Sequence, residues 1–339
     1  MPVTGLRTPS EANRLGLDYR HEAGQLPWRG PIWDVHSHVR TLETARPFAD
    51  AARAYGVTRI WTMTQLEEVD AIRGEYGDFF RFIAVPNYHA ARNDPSVFHT
   101  DFLRRIEGFA GKGVRVCKFW AAPRGRDVHP LLRLDAAPVL EAMELAASCG
   151  MMFMTHVGDP DTWFATHYRD ARRYGTKAEQ YEPLERLLER FRQVPWIAAH
   201  MGGHPEDLGH LQELLDRHPN LHLDNSATKW MVRELSKRPL AYRAFCARNP
   251  GRVLFGSDNV ADPGVSSFEL LASRYWALRT LHETDYEGPC PIVDPDLSLV
   301  DPALPAQSTA TLRGAAFDPA TLGSVYHAAA DRLLTPWGA

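Results

Sequence analysis

The chain has 339 residues, is 44% hydrophobic and 24% charged, and carries a formal net charge of −4. That balance allows a large buried core, gives no basic stripe for nucleic acid, and leaves no apolar run long enough to span a membrane. Residues 1–30 lack the apolar centre of a signal peptide, and Cys117, Cys149, Cys246 and Cys290 form no CxxC pair. Reduced thiols and a cytoplasmic location are therefore expected.

Taken in order, residues 1–29 read as a polar surface arm. Ile32 to His36 is a first strand. Leu42 to Gly56 is helical, its regular part starting near Pro47, which suits a first turn. Strands over Thr58–Met63 and Phe80–Val85 flank a helix over Gln65–Tyr76. A helix over Val97–Ala110 carries apolar residues at helical spacing. Strand Gly113–Phe119 follows, then helix Asp135–Ser148, strand Met151–Thr155 and helix Leu184–Phe191. Strand Trp196–Ala199 leads to a helix over Pro205–Arg217, with Pro205 at its first position and Glu206 and Asp207 in its first turn. Strand Leu221–Asp224, helix Pro239–Ala247, strand Arg252–Phe255 and helix Phe268–Leu281 complete the series.

Strict strand–helix alternation over about 250 residues matches the size of a (β/α)8 TIM barrel. A doubly wound open sheet is the alternative. The barrel is preferred because polar residues fall at strand C-termini around the whole series. One domain is expected, with its barrel core over 31–283. Residues 284–318, rich in Pro and Asp, read as a long irregular insertion or lid, and 319–335 as a terminal helix.

The strand ends carry the chemistry. His36 and His38 lie two apart, so a strand turns both to one face, where they can share a metal ion. Lys118 lies on the fourth strand. His156, His200 and Asp258 close the fifth, sixth and eighth. In a closed barrel these positions converge on one rim. Singly, each has a structural explanation; together they point to a metal centre.

His36-Ser37-His38, His156 after Met154-Thr155, Ala199-His-Met-Gly-Gly203 and Phe255-Gly-Ser-Asp258 resemble the amidohydrolase superfamily. They are most similar to its amidohydrolase-related branch, which includes the aminocarboxymuconate-semialdehyde decarboxylase-like enzymes. The resemblance covers about residues 31–283. It implies a barrel with a divalent ion, most often Zn²⁺, with Mn²⁺ or Fe²⁺ tolerated. It also implies His36, His38, His156 and Asp258 as ligands and His200 as the residue acting on water or substrate. His200 and Lys118 would hold a second ion in a two-metal variant.

Such a site supports two reactions. One is hydrolysis of an amide, ester or lactone by water activated on the ion, with His200 or Asp258 taking the proton. The other is non-oxidative decarboxylation of an unsaturated or aromatic acid. A non-catalytic barrel is a third reading, opposed by the intact ligand set. Lys118, Trp120, Arg124, Arg126, Trp163, Asn225, Lys229, Trp230 and Arg233 on the rim loops suggest a small, planar, anionic substrate, in particular a carboxylate. The competing account pairs these cations with Asp127, Asp159 and Glu234. His204 is expected to cap the following helix, and a homodimer is a further expectation.

Overall fold

The computed structural model describes residues 10–88 and 97–339. Residues 1–9 of the expected arm lie outside that range. Most residues of the barrel strands are buried, as parallel strands under a layer of helices must be, with Thr58 and Val260 the exposed exceptions. The strands are β1 (Ile32–Val39), β2 (Val57–Met63), β3 (Phe80–Ile83), β4 (Val116–Trp120), β5 (Met152–His156), β6 (Trp196–Ala198), β7 (Leu221–Asp224), β8 (Val253–Leu254) and β9 (Asn259–Ala261).

They form two parallel sheets, ordered β3-β2-β1-β9 and β4-β5-β6-β7-β8. Backbone hydrogen bonds join the sheets at both seams. At one, Ala84 N–H reaches Val116 O at 2.8 Å and Lys118 N–H reaches Ala84 O at 2.9 Å. At the other, Val35 N–H reaches Phe255 O at 3.0 Å and Asp258 N–H reaches His36 O at 2.8 Å. The sheet thus closes into a (β/α)8 barrel. Its helices pack outside on one continuous core that includes Phe48, Phe109, Leu184, Leu214 and Tyr275.

Several elements differ from the reading of the sequence. The N-terminal segment is no free arm. Asp18 caps a helix, Tyr19–Gln25, by accepting from the Arg20 and His21 amides. Tyr19, Ala23 and Leu26 are buried, and so few apolar positions give little periodic signal. The helix read over Leu42 to Gly56 runs from Leu42 to Ala54 and is regular from its first residue, not from near Pro47, because Thr41 and Thr44 form a capping box before it. The helix after β6 starts at Leu208, not Pro205. Asp207 is its cap and accepts from His210 N–H at 3.0 Å. His204 therefore does not cap it; its ring stacks on Tyr181.

The 284–318 insertion is more ordered than its composition suggests. It holds an antiparallel pair, β10 (Glu287–Val293) and β11 (Thr309–Arg313). Pro289 and Pro291 inside β10 disguise the strand, since proline cannot donate to a ladder. The terminal helix spans Pro319–Leu334 with a wider turn at Ser324–Ala328. That turn releases the Val325 carbonyl to accept from Phe255 N–H at 2.9 Å, fastening the helix to the end of β8.

Helix Phe268–Glu283 ties these parts together. Its buried Arg279 and Glu283 are paired side by side. Arg279 also donates to the Tyr55 and Trp28 carbonyls at 3.0 and 2.9 Å. Glu283 accepts from Trp28 N–H and the Tyr326 hydroxyl, both at 2.9 Å. Replacing Glu283 by Ala leaves Arg279 buried and uncompensated, so Glu283→Ala is expected to cost about 3–5 kcal/mol in denaturant unfolding. An unchanged midpoint would contradict this account.

Candidate metal centre

The polar residues of the barrel gather at the C-terminal rim. They line a cavity of about 470 Å³ shared by His36, His38, Lys118, His156, His200 and Asp258. His36 and His38 come from β1, their ring centres 5.9 Å apart. His38 Nε2 is 3.1 Å from Asp258 Oδ1, and His36 Nε2 is 3.5 Å from the same oxygen. Lys118 Nζ is 3.4 Å from His36 Nε2. His200 and Asp258 have φ of 58° and 54°. Left-handed backbone of this kind in non-glycine residues is strained and concentrates at functional sites.

One residue organises the cluster, and sequence reasoning did not select it. Asp224, at the end of β7, is fully buried. Its Oδ2 accepts from His36 Nδ1 at 2.8 Å. Its Oδ1 accepts from His200 N–H at 2.9 Å, from Ser226 N–H at 3.1 Å and from the Ser226 hydroxyl. Burial opposes its ionisation, but the neighbouring His36, His200 and Lys118 hold its carboxyl well below the usual carboxylate range.

This network assigns the tautomers. The Asp224 carboxylate only accepts, so the Ser226 hydroxyl proton points to it. Ser226 Oγ then accepts from His200 Nδ1, 2.7 Å away. His200 is thus protonated on Nδ1, with its Nε2 lone pair free. The same logic puts the His36 proton on Nδ1 and leaves its Nε2 facing His38 and Asp258.

Two overlapping groups offer ligand atoms within 4.8 Å of one another: His36, His38 and Asp258, and His36, His200 and Asp224. The first fits a divalent cation. Burial drives His38 down to about 4, so its ring is neutral, and its Nδ1 is buried without a partner. Burial also opposes the charge on Asp258, but His200, His38 and His36 keep its carboxylate ionised. His156 stands slightly apart. Its Nε2 is held by buried Asp159 at 2.8 Å, and Nδ1 has no hydrogen-bond partner among the described residues. Its ring centre is 4.4 Å from that of His200. Burial lowers Lys118 to about 8.

The remaining candidates divide. Lys118, Trp120, Lys229 and Trp230 line the cavity. Trp163 stands behind Trp230, ring centres 5.2 Å apart, and donates to Asp296 at 2.7 Å. Arg124 is exposed over the Trp163 ring. Asn225 is buried away from the cavity, donating to the Tyr242 hydroxyl at 3.0 Å and to His282 Nε2 at 3.2 Å. Arg233 is bound to Glu234 and Asp294, the pairing that competed with a substrate role. Arg274, Tyr88 and Gln65 also line the cavity without having been anticipated. Among the described residues a third acidic cluster, Asp161, His204 and Glu206, already holds the Lys177 ammonium, 2.6 Å from Asp161 and 3.4 Å from Glu206.

The chain is similar in fold to several solved enzymes. A 2,6-dihydroxybenzoate decarboxylase in complex with 2,6-dihydroxybenzoate superposes with a TM-score of 0.50 at 11% identity, covering 90% of this chain and 99% of that one. A 5-carboxyvanillate decarboxylase from Novosphingobium aromaticivorans, complexed with manganese, gives 0.48 at 12% identity, covering 90% and 96%. A probable 2-pyrone-4,6-dicarboxylic acid hydrolase from Acinetobacter baumannii gives 0.44 at 13% identity, covering 79% and 97%. No curated protein matches by sequence. The Amidohydrolase family profile matches residues 27–335, which include every barrel strand and the whole rim cluster, so the chain belongs to that family.

Proposed function

We propose that this enzyme is a metal-dependent hydrolase acting on an amide, ester or lactone bond of a small carboxylate. The observation that carries the reading is the Asp224–Ser226–His200 chain. It presents His200 to the cavity as a proton acceptor, which is what attack by water requires first. The four cysteines are free thiols, in keeping with a cytoplasmic enzyme.

His36, His38 and Asp258 would hold the ion, with His156 completing the set through Nδ1. Two or three imidazoles with one carboxylate suit Zn²⁺. An ion there lowers the pKa of water and polarises a carbonyl. His200 Nε2 accepts the water proton and returns it to the departing nitrogen or oxygen. Trp120 and Trp230 flank a planar substrate.

Lys229 and Arg274 set the substrate's charge. Both line the cavity, and among the described residues neither forms an ion pair. Burial lowers the pKa of each, and Arg274 adds to the effect on Lys229. Arg40, by contrast, is matched by Asp262 at 2.9 Å. Two uncompensated cations facing one cavity are a seat for a carboxylate remote from the bond that breaks.

Decarboxylation is the rival on the same residues. It needs a proton delivered to carbon, and the cavity group that carries one beside the ligands is Lys118. Offering the metal-loaded enzyme matched cyclic esters, amides and aryl acids separates the two. Acid release without CO₂ supports hydrolysis; stoichiometric CO₂ overturns it.

His200→Asn is expected to keep its metal by elemental analysis while turnover falls about 10²–10⁴-fold. Loss of the metal together with activity would instead favour the two-metal arrangement with Lys118. Asp224→Ala frees the His36 ring, so metal affinity should drop about 10- to 100-fold in a chelator competition. For a carboxylate substrate, Lys229→Ala and Arg274→Ala should each raise KM about tenfold or more with little change in kcat. An unaltered KM in both would remove the carboxylate seat.

A further inference from the structure

A second cavity, of about 380 Å³, lies beside the loops that follow β4 and β5. It shares no lining residue with the metal centre. Five arginines face it against three carboxylates: Arg126, Arg133, Arg172, Arg173 and Arg186, with Asp135, Glu179 and Glu182.

Most of these charges are already matched. Arg133 holds Asp135 through two contacts of 3.1 Å. Arg186 holds Glu182 and Arg173 holds Asp127, each at 2.5 Å. Glu179 accepts from Thr176 N–H at 2.7 Å. Arg172 is exposed and, among the described residues, has no carboxylate partner. Arg126 has none either.

Arg126 is the unusual member. Its Nη2 donates to Gln180 Oε1 at 3.0 Å, while its Nε and Nη1 are buried with no acceptor. Gln180 is fixed in turn, donating to the Tyr174 and Thr176 carbonyls at 3.0 and 2.7 Å. That anchors the amide with its oxygen toward the guanidinium. Gly175, at φ 73°, lets the backbone pass close by; a Cβ there would sit 2.8 Å from Gln180 Nε2 and 3.8 Å from Arg126 Nη1. Burial and the nearby Arg133 make the Arg126 charge costly, and Asp135 and Glu179 offset that cost only from a distance, without a salt bridge to it. A half-buried guanidinium held in place with donors unmet lacks one component, an anion.

We propose that this cavity is a second ligand site, which binds a multivalent oxyanion through Arg126 with Arg172 and Arg133 around it. Guanidinium forks match phosphate and carboxylate oxygens alike, so a phosphate group and a polycarboxylate share the required chemistry. The site stands whether or not the metal centre hydrolyses its substrate.

The test is calorimetric titration of the metal-loaded enzyme at low ionic strength, with inorganic phosphate in one arm and citrate in the other. Saturable binding in either arm is expected, and the tighter arm identifies the source. Arg126→Gln should weaken it about tenfold or more, and Arg126→Lys should restore it only in part, because the point charge is kept and the fork is lost. Arg172→Gln, an exposed change that leaves the fold undisturbed, should weaken it about threefold, the scale of one screened surface charge. No saturation in either arm, or equal affinity in Arg126→Gln and Arg172→Gln, would each overturn the proposal.

Discussion

The rim depends on a single buried carboxylate. Asp224 sits inside the barrel with no exposed surface, where an unpaired charge would be ruinous to stability. It is tolerated because four donors converge on its two oxygens: one imidazole, one hydroxyl and two backbone amides. Those donors belong to β1, to the turn after β6 and to the residues after β7. Satisfying Asp224 therefore fixes three parts of the rim relative to one another. It also fixes which nitrogen of His36 and of His200 carries a proton. His200 holds its left-handed φ with its amide bonded to Asp224.

A second buried carboxylate closes the barrel below. Asp34 lies two residues before His36, where the β1–β2 register shifts. It accepts from Ser257 N–H at 2.9 Å, from the Ser257 hydroxyl at 2.6 Å and from the Tyr275 hydroxyl at 2.8 Å. Burial raises its pKa to about 6 even with these partners. The contacts pull the segment after β8 against β1 and so position Asp258 above His36 and His38. Gly256 permits that approach. A Cβ there would lie 2.9 Å from the His36 Cβ and 3.0 Å from that of Ser226. The candidate ligands on the first and last barrel segments are thus aligned by Asp34, Ser257 and Tyr275, which lie outside the candidate set.

What the sequence revealed follows from periodicity. The His36–His38 pair was legible because a strand repeats every two residues, and the barrel was legible because apolar runs alternate with amphipathic ones. The same period explains an error of placement. Asn225 was chosen for its position just past a strand, but Asp224 and Ser226 face inward, so Asn225 faces the outer layer and meets Tyr242 and His282. Asp224 was overlooked although it ends the run Leu221-His-Leu at the same level as the other ligands. Its partners His36, His200 and Ser226 are separated from it by 188, 24 and 2 residues, and nothing local distinguishes it from a strand terminus. Arg274 carried no signal because it lies inside a helix and not at a strand end. Arg124 and Arg126 were read together as rim cations, but the tight turn Pro123–Asp127 sends one over Trp163 and the other into a separate cavity.

Helix Phe268–Glu283 joins stability to recognition. Its C-terminal turn carries the Arg279–Glu283 pair that gathers Trp28, Tyr55 and Tyr326. One turn and a half earlier the same helix contributes Tyr275 to Asp34 and Arg274 to the cavity. Successive residues on a helix point about 100° apart, so Tyr275 can reach the barrel closure while Arg274 faces the rim. A shift of this helix would move Arg274 in the cavity, the support beneath Asp258 and the anchor of the N-terminal segment together. The ion pair at Arg279 and the Tyr275–Asp34 contact hold that helix in place, and among the described residues the Arg274 guanidinium lines the cavity without an ion pair.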